Sequence, residues 1–283
     1  MKNLPLYLVA ISAVAVMSGC VRENMQAETT VLPSINDVAP SAWAKLNGER
    51  IYFGHQSVGD NVLSGIEDIM KANGGIRLKI MKTTDTAAFN GPVFAHSYVG
   101  TNGDPGSKIE AFRKIMESGV GGKAGIAFVK LCFWDIRSRT DVEKTFALYR
   151  KTLTELKAEY PKTVFVHFTV PLMSYPGGLS NGVKRLFGLP VGPDLDNMRR
   201  NELNRLILKE YGGKEPVFDI ALVESTLPDG TRAFFTKNGE RYYCLAQRYS
   251  RDGGHLNEEG KRLVAEQLLI RLTRLTGTDW GYL

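Results

Sequence analysis

Two short stretches of the sequence hold groups that could act together on a carbonyl. The first is RIYFGHQSVGDN, Arg50 to Asn61, in which the apolar Tyr52 and Phe53 run into Gly54 and a polar triplet ends at Ser57. A serine there, at the end of a strand and the start of a helix, projects its hydroxyl from a sheet edge. Its own amide lies near a helix N-terminus, where negative charge is favoured. Serine alone is a weak nucleophile and needs a base. The second stretch, YSRDGGHLNEEGKRL, Tyr249 to Leu263, places Asp252 and His255 three residues apart in a glycine-containing loop. That spacing lets the carboxylate turn back onto one imidazole nitrogen and fix the tautomer, leaving the other nitrogen to accept a proton. Each stretch also has a plainer reading: Ser57 as a helix N-cap, and Asp252 as the residue that begins a turn.

The elements that must hold these groups follow from periodicity. After Ser57, Val62, Ile66, Ile69 and Met70 recur at helical spacing, and Gly74 with Gly75 ends the helix. IRLKIMKT reads as a second strand, SKIEAFRKIMESG as a short helix and AGIAFVKLCF as a buried strand. Val142, Phe146, Tyr149, Leu153 and Leu156 form the stripe of an amphipathic helix capped by Thr140 or Asp141. TVFVHFTVPL is β-branched and aromatic, a further strand. Asn197 to Tyr211 reads as a helix, PVFDI as a short strand, and Glu258 to Leu275 as a closing helix. Strands that are apolar throughout, alternating with helices, predict an α/β fold of three layers, a mostly parallel sheet with helices on both faces. Working groups in such sheets gather at the carboxyl ends of the strands. The Gly- and Pro-rich stretch from Tyr175 to Asp196 is either a lid or rim, or an inert surface excursion.

In order and spacing, the Ser57 and Asp252–His255 stretches resemble those of the SGNH or GDSL-type hydrolases, over Arg50 to Leu275. In that family a nucleophilic serine follows the first strand and an Asp-x-x-His motif precedes the last helix. The resemblance implies Ser57 as nucleophile, His255 as general base and Asp252 as the residue orienting it, on a flavodoxin-like sheet. The chain departs from the family pattern in two places. GHQS replaces Gly-Asp-Ser, and CFWD replaces Gly-x-Asn-Asp, so Cys132 stands at the glycine and Trp134 at the asparagine. The side-chain amide that donates to the oxyanion is therefore missing from its expected position. SYVGTNGDPGSK corresponds to the family's second block and implies the Gly100 amide as an oxyanion donor. Asn102 is then either a substitute side-chain donor or part of a connecting turn. Asp135 is expected to orient the Ser57 loop by accepting backbone hydrogens, and His55 to donate to substrate or oxyanion. Lys130 either contacts an anionic substrate or extends its head to solvent. His167 reads as a hydrogen-bonded core residue. No cofactor is implied, and the histidine spacings are not those of a metal site.

The first twenty residues, MKNLPLYLVAISAVAVMSGC, combine one lysine, an apolar run and small residues ending at Cys20, an export signal and not a span. MSGC resembles a bacterial lipobox; a plain secretory signal with a coincidental cysteine is the alternative. The expected organisation is a signal over 1–19, lipid on Cys20, a tether over 20–45, the hydrolase-like domain over 46–276 and a tail over 277–283. Val21 after Cys20 resembles outer-membrane sorting, so the expected place is the cell envelope, lipid-anchored and facing the periplasm. The net charge of +6 is dispersed along the chain, with no basic block carrying interleaved aromatics, which argues against nucleic acid. Cys132 and Cys244 are either bridged or two buried thiols; spacing does not choose. The expected function is that of an extracytoplasmic serine esterase acting on an acylated small molecule or polysaccharide, with O-acyl groups of envelope carbohydrate foremost. An O-acyltransferase using the same serine, and a non-catalytic binding lipoprotein on the same scaffold, are the alternatives.

Overall fold

The computed structural model describes residues 29–175 and 191–276. The export signal, Cys20, most of the Gly- and Pro-rich excursion and the 277–283 tail lie outside them. Strands β1 (Arg50–His55), β2 (Ile80–Lys82), β3 (Val93–Tyr98), β4 (Ile126–Val129) and β5 (Val164–Phe165) pair in parallel in the order β2-β3-β1-β4-β5. One residue further on, β6 (His167–Phe168) pairs in parallel with β7 (Val217–Phe218). Between β5 and β6 the Val166 amide donates to Ala127 O at 3.0 Å, so the two sheets run into each other. The central strand is β1, and its carboxyl end leads directly to Ser57.

Alternation sorts the two faces. On one face Phe94, Phe53, Phe128, Phe168 and Phe218, each from a different strand, cross the sheet as a row. Ring centroids are 4.8 Å apart for Phe53–Phe128, 4.9 Å for Phe128–Phe168 and 5.0 Å for Phe168–Phe218. This row is covered by α1 (Pro40–Asn47), α2 (Val58–Ala72), α6 (Ile220–Ser225) and α7 (Glu258–Leu275). On the other face Tyr52, Ala95, Ala127 and Phe165 meet α3 (Pro105–Ile115), α4 (Val142–Glu159) and α5 (Gly192–Tyr211). The three-layer α/β architecture expected from the sequence is present.

Several local expectations are corrected. The later part of the stretch read as tether is anchored to the domain at three points: Trp43 of α1 is buried, Pro33 O accepts from Gln267 Nε2 at 2.7 Å, and the Ile35 amide donates to Glu266 Oε1 at 2.8 Å. Helix α5 begins at Gly192, five residues before the expected Asn197. The cap of α4 is Asp141, whose carboxylate accepts from Lys144 N at 2.9 Å. An antiparallel hairpin, β8 (Phe234–Lys237) and β9 (Glu240–Tyr243), turns at Asn238 and Gly239, both with positive φ. Cys132 and Cys244 are buried free thiols in separate apolar clusters.

Helices α2 and α7 lie in close contact. A methyl group on Gly65 would come 2.4 Å from Lys261 O and 2.8 Å from Ala265 Cβ. Nearer the start of both helices, Asn61 Oδ1 accepts from the Leu256 amide at 3.2 Å. The paired positions advance together along both segments, so the helices run in the same direction with their N-termini at the carboxyl edge of the sheet. Gly65→Ala should force them apart and lower stability by about 1–3 kcal/mol, read as a fall in the urea midpoint. Gly74→Ala, where a methyl group meets nothing within 4 Å, should leave the midpoint in place.

Candidate active site

Ser57 is the N-cap residue of α2, yet its side chain makes no capping hydrogen bond, so the plain N-cap reading does not account for it. Its hydroxyl lies 3.8 Å from Cys132 Sγ and makes no hydrogen bond to His255. The turn carrying Ser57 is tied to the loop after β3 by Gln56, whose Nε2 donates to Val99 O at 3.2 Å and Gly100 O at 3.1 Å. Gly59 is required because a methyl group there would sit 2.3 Å from the His55 ring.

Asp252 and His255 form the expected pair. His255 Nδ1 stands 2.8 Å from Asp252 Oδ2, while the amides of His255 and Gly254 donate to Oδ1 at 2.8 and 3.1 Å. Partial burial pushes the Asp252 carboxyl up, but these amides and the imidazole outweigh it and hold the group at about 2. An ionised carboxylate only accepts, so Nδ1 carries the proton and Nε2 is left as the acceptor. The loop reverses at Gly253, φ +95. It rests on Phe133, whose ring would come 2.6 Å from a methyl group on Gly254 and stands edge-on to His255 at 5.5 Å.

A second set of groups surrounds the loop after β3. Gly100 has φ +55, and a methyl group there would come 2.5 Å from the Lys108 amide, so only glycine fits. The backbone amides of Ser57 and Gly100 are not engaged by the hydrogen bonds of the described residues, as expected for donors at a helix start and an open loop. Asn102 Oδ1 accepts from Lys108 Nζ at 2.8 Å. An ammonium can only donate, which fixes the amide with its oxygen toward Lys108 and its NH₂ away from it.

Three expected roles are corrected. Asp135 is buried and does not reach the Ser57 loop; it accepts from the Cys132 amide at 2.6 Å and the Gly103 amide at 2.9 Å, and pairs with Lys108 Nζ at 2.8 Å. It thereby joins the loops after β3 and β4. His55 is fully buried, with Nε2 2.9 Å from His96 Nδ1. Burial, with Lys130 and His96 adding to it, depresses the His55 ring to about 3, so it is neutral and turned into the protein instead of toward a substrate. Lys130 is neither solvent-facing nor placed for substrate: it is fully buried, its Nζ donates to Leu131 O at 3.3 Å, and burial pushes its pKa down. His167, as expected, is a core residue between Tyr149 OH at 3.0 Å and Glu215 Oε2 at 2.9 Å.

Four residues to which the sequence assigns no role organise the candidate site: Gln56, Asn61, Lys108 and Phe133. Lys108 had a visible signal, since it lies four residues before Phe112 on the inward face of α3. The other three are recognised only through contacts between segments distant in sequence.

No curated protein and no protein-family model matches the chain. Among solved structures it is similar to a carbohydrate esterase of family 3 from Talaromyces cellulolyticus, with 13% identity, 80% of this chain and 96% of that chain covered and a TM-score of 0.44. It is similar also to the psychrotrophic esterase EstA from Pseudoalteromonas sp., with 9% identity, 80% and 98% covered and a TM-score of 0.44. A third, the acetyl xylan esterase AlAXEase, has 16% identity, 77% and 96% covered and a TM-score of 0.41.

Proposed function

We propose that the protein is a serine ester hydrolase of SGNH type that works through an acyl-enzyme. The observation that carries this reading is the Asp252–His255 pair with Nε2 free, at the head of a helix packed alongside the helix that Ser57 begins. In the proposed reaction the Ser57 side chain changes rotamer from Cys132 toward His255. His255 Nε2 takes the hydroxyl proton as Oγ adds to the ester carbonyl. The resulting oxyanion is met by the amides of Ser57 and Gly100 and by the Asn102 NH₂. Collapse returns the proton to the leaving alkoxide, and water activated by the same imidazole then releases the acid. Asp252 holds the tautomer throughout.

One observation favours the rival reading of a non-catalytic binding protein: the Ser57 hydroxyl faces Cys132 Sγ at 3.8 Å. A fluorophosphonate probe separates the two, because only an activated serine is phosphonylated. Wild-type protein should label and Ser57→Ala should not; Asp252→Asn should slow turnover of nitrophenyl acetate by at least about 10²-fold. An unlabelled wild type would support the binder.

The substrate we propose is an O-acyl group on envelope carbohydrate. Trp134 supports this: it is 46% exposed beside Gly103, and the Arg137 guanidinium lies 4.6 Å from its ring centroid. An exposed indole next to planar donors suits the apolar face and hydroxyls of a sugar ring. Trp134→Ala should raise KM for an O-acetylated polysaccharide while leaving nitrophenyl acetate kinetics unchanged; an equal effect on both would remove Trp134 from the account. We further propose attachment to the outer membrane through lipid on Cys20. Fatty-acid labelling should be lost in Cys20→Ala.

A further inference from the structure

Lys108 and Asp135 are an ion pair in which both side chains are wholly inaccessible, Nζ to Oδ2 2.8 Å. Burying two charges is costly, and a pair of apolar side chains in the same space is often as stable or more so. The arrangement therefore calls for a reason other than stability, and the remaining partners of the pair supply one. Lys108 Nζ also donates to Asn102 Oδ1 at 2.8 Å, and Asp135 also accepts from Gly103 N and Cys132 N. The loop between is fixed at both ends to the start of α3, through Thr101 N to Ser107 Oγ at 2.9 Å and Ser107 N to Asp104 Oδ1 at 3.0 Å. Asn102 itself is exposed, so without the ammonium its amide would rotate freely in water and present oxygen as often as nitrogen.

We propose that Lys108 is a positioning residue that makes Asn102 the side-chain donor to the oxyanion, replacing the asparagine whose place Trp134 occupies. The proposal rests on the esterase reading above. The buried ammonium holds the amide oxygen, which leaves the NH₂ turned away from Lys108 and free to donate. Asp135 keeps the ammonium in place and ties the Asn102 loop to Cys132, the residue against which Ser57 lies. The same lysine's backbone abuts Gly100, so one residue sets both the backbone donor and the side-chain donor.

Steady-state kinetics on nitrophenyl acetate test this with full-length protein. Asn102→Ala should lower kcat by about 10²-fold with KM little changed, the loss associated with removing one oxyanion donor. Asn102→Asp, which substitutes an acceptor for the NH₂, should be as slow. Lys108→Met should also lower kcat, but the double variant with Asn102→Ala should be no slower than Asn102→Ala alone. Lys108→Gln, whose NH₂ can still donate to Asn102 Oδ1, should recover most of the loss. Multiplying losses in the double variant, or a Lys108→Met deficit matched by its unfolded fraction, would overturn the proposal. Asn102 lies on an exposed loop, so its variants test the donor even where a Lys108 variant fails to fold: full kcat in Asn102→Ala overturns the proposal alone. A wild type that neither labels nor turns over overturns the esterase reading and this inference together.

Discussion

Gly65 against the backbone of Lys261 is the contact that fixes the spacing at the carboxyl edge of the sheet. Helices α2 and α7 run side by side, and at the point of contact Gly65 meets the Lys261 backbone and nothing larger than the Ala265 methyl group. Ser57 stands eight residues before Gly65; His255 stands six before Lys261 and ten before Ala265. Ser57 is the N-cap of α2, about two turns before the crossing point, and His255 lies in the loop just ahead of α7, so both belong to the N-terminal ends of the paired helices. The hydrogen bond from Leu256 N to Asn61 Oδ1 closes the same gap nearer the site. Helix packing thus brings the two segments that carry Ser57 and His255, almost the whole domain apart in sequence, to the same edge of the sheet.

The short run from Cys132 to Asp135 does the rest. Each residue meets a different part of the site: Cys132 meets Ser57, Phe133 carries the His255 loop, Trp134 lies over Gly103, and Asp135 binds Lys108. Arg200, itself fully buried, supports the run from beneath by donating from Nε to Phe133 O at 2.8 Å. One of the two departures noted in the sequence, CFWD, is this run itself. In the proposed mechanism Asn102 from the preceding loop, held by Lys108 from the helix after it, takes the donor role that Trp134 cannot fill.

Much of this was legible in the sequence where one physical term dominates. The α7 boundaries were read correctly because its apolar stripe is long and Asn257 and the acidic first turn mark its start. The pairing of Asp252 with His255 was legible because it is local. Helix α5 was read five residues short because it opens on Gly192 and Pro193 at the end of a Gly- and Pro-rich stretch, where composition signals a loop although proline fits the first turn of a helix. The β8–β9 hairpin was missed although its Asn-Gly turn is among the strongest short-range signals. His55 and Lys130 were expected to face substrate or solvent, and Asp135 to hold the Ser57 loop, because polar side chains next to a site invite such roles. Their burial comes from strand register and from α2 and α3 covering them, which depends on the assembled fold.

The central claim is that Ser57 is brought to His255 and to donors at Gly100 and Asn102 when it reacts. A crystal structure of the protein after treatment with a small phosphonate ester tests it directly. The account predicts phosphorus on Ser57 Oγ, His255 Nε2 within hydrogen-bonding distance of that oxygen or of the leaving-group position, and the phosphonyl oxygen facing Gly100 N and Asn102 Nδ2. Phosphorus on another residue, or an adduct on Ser57 with the imidazole turned away and its oxygen met by neither donor, would contradict it.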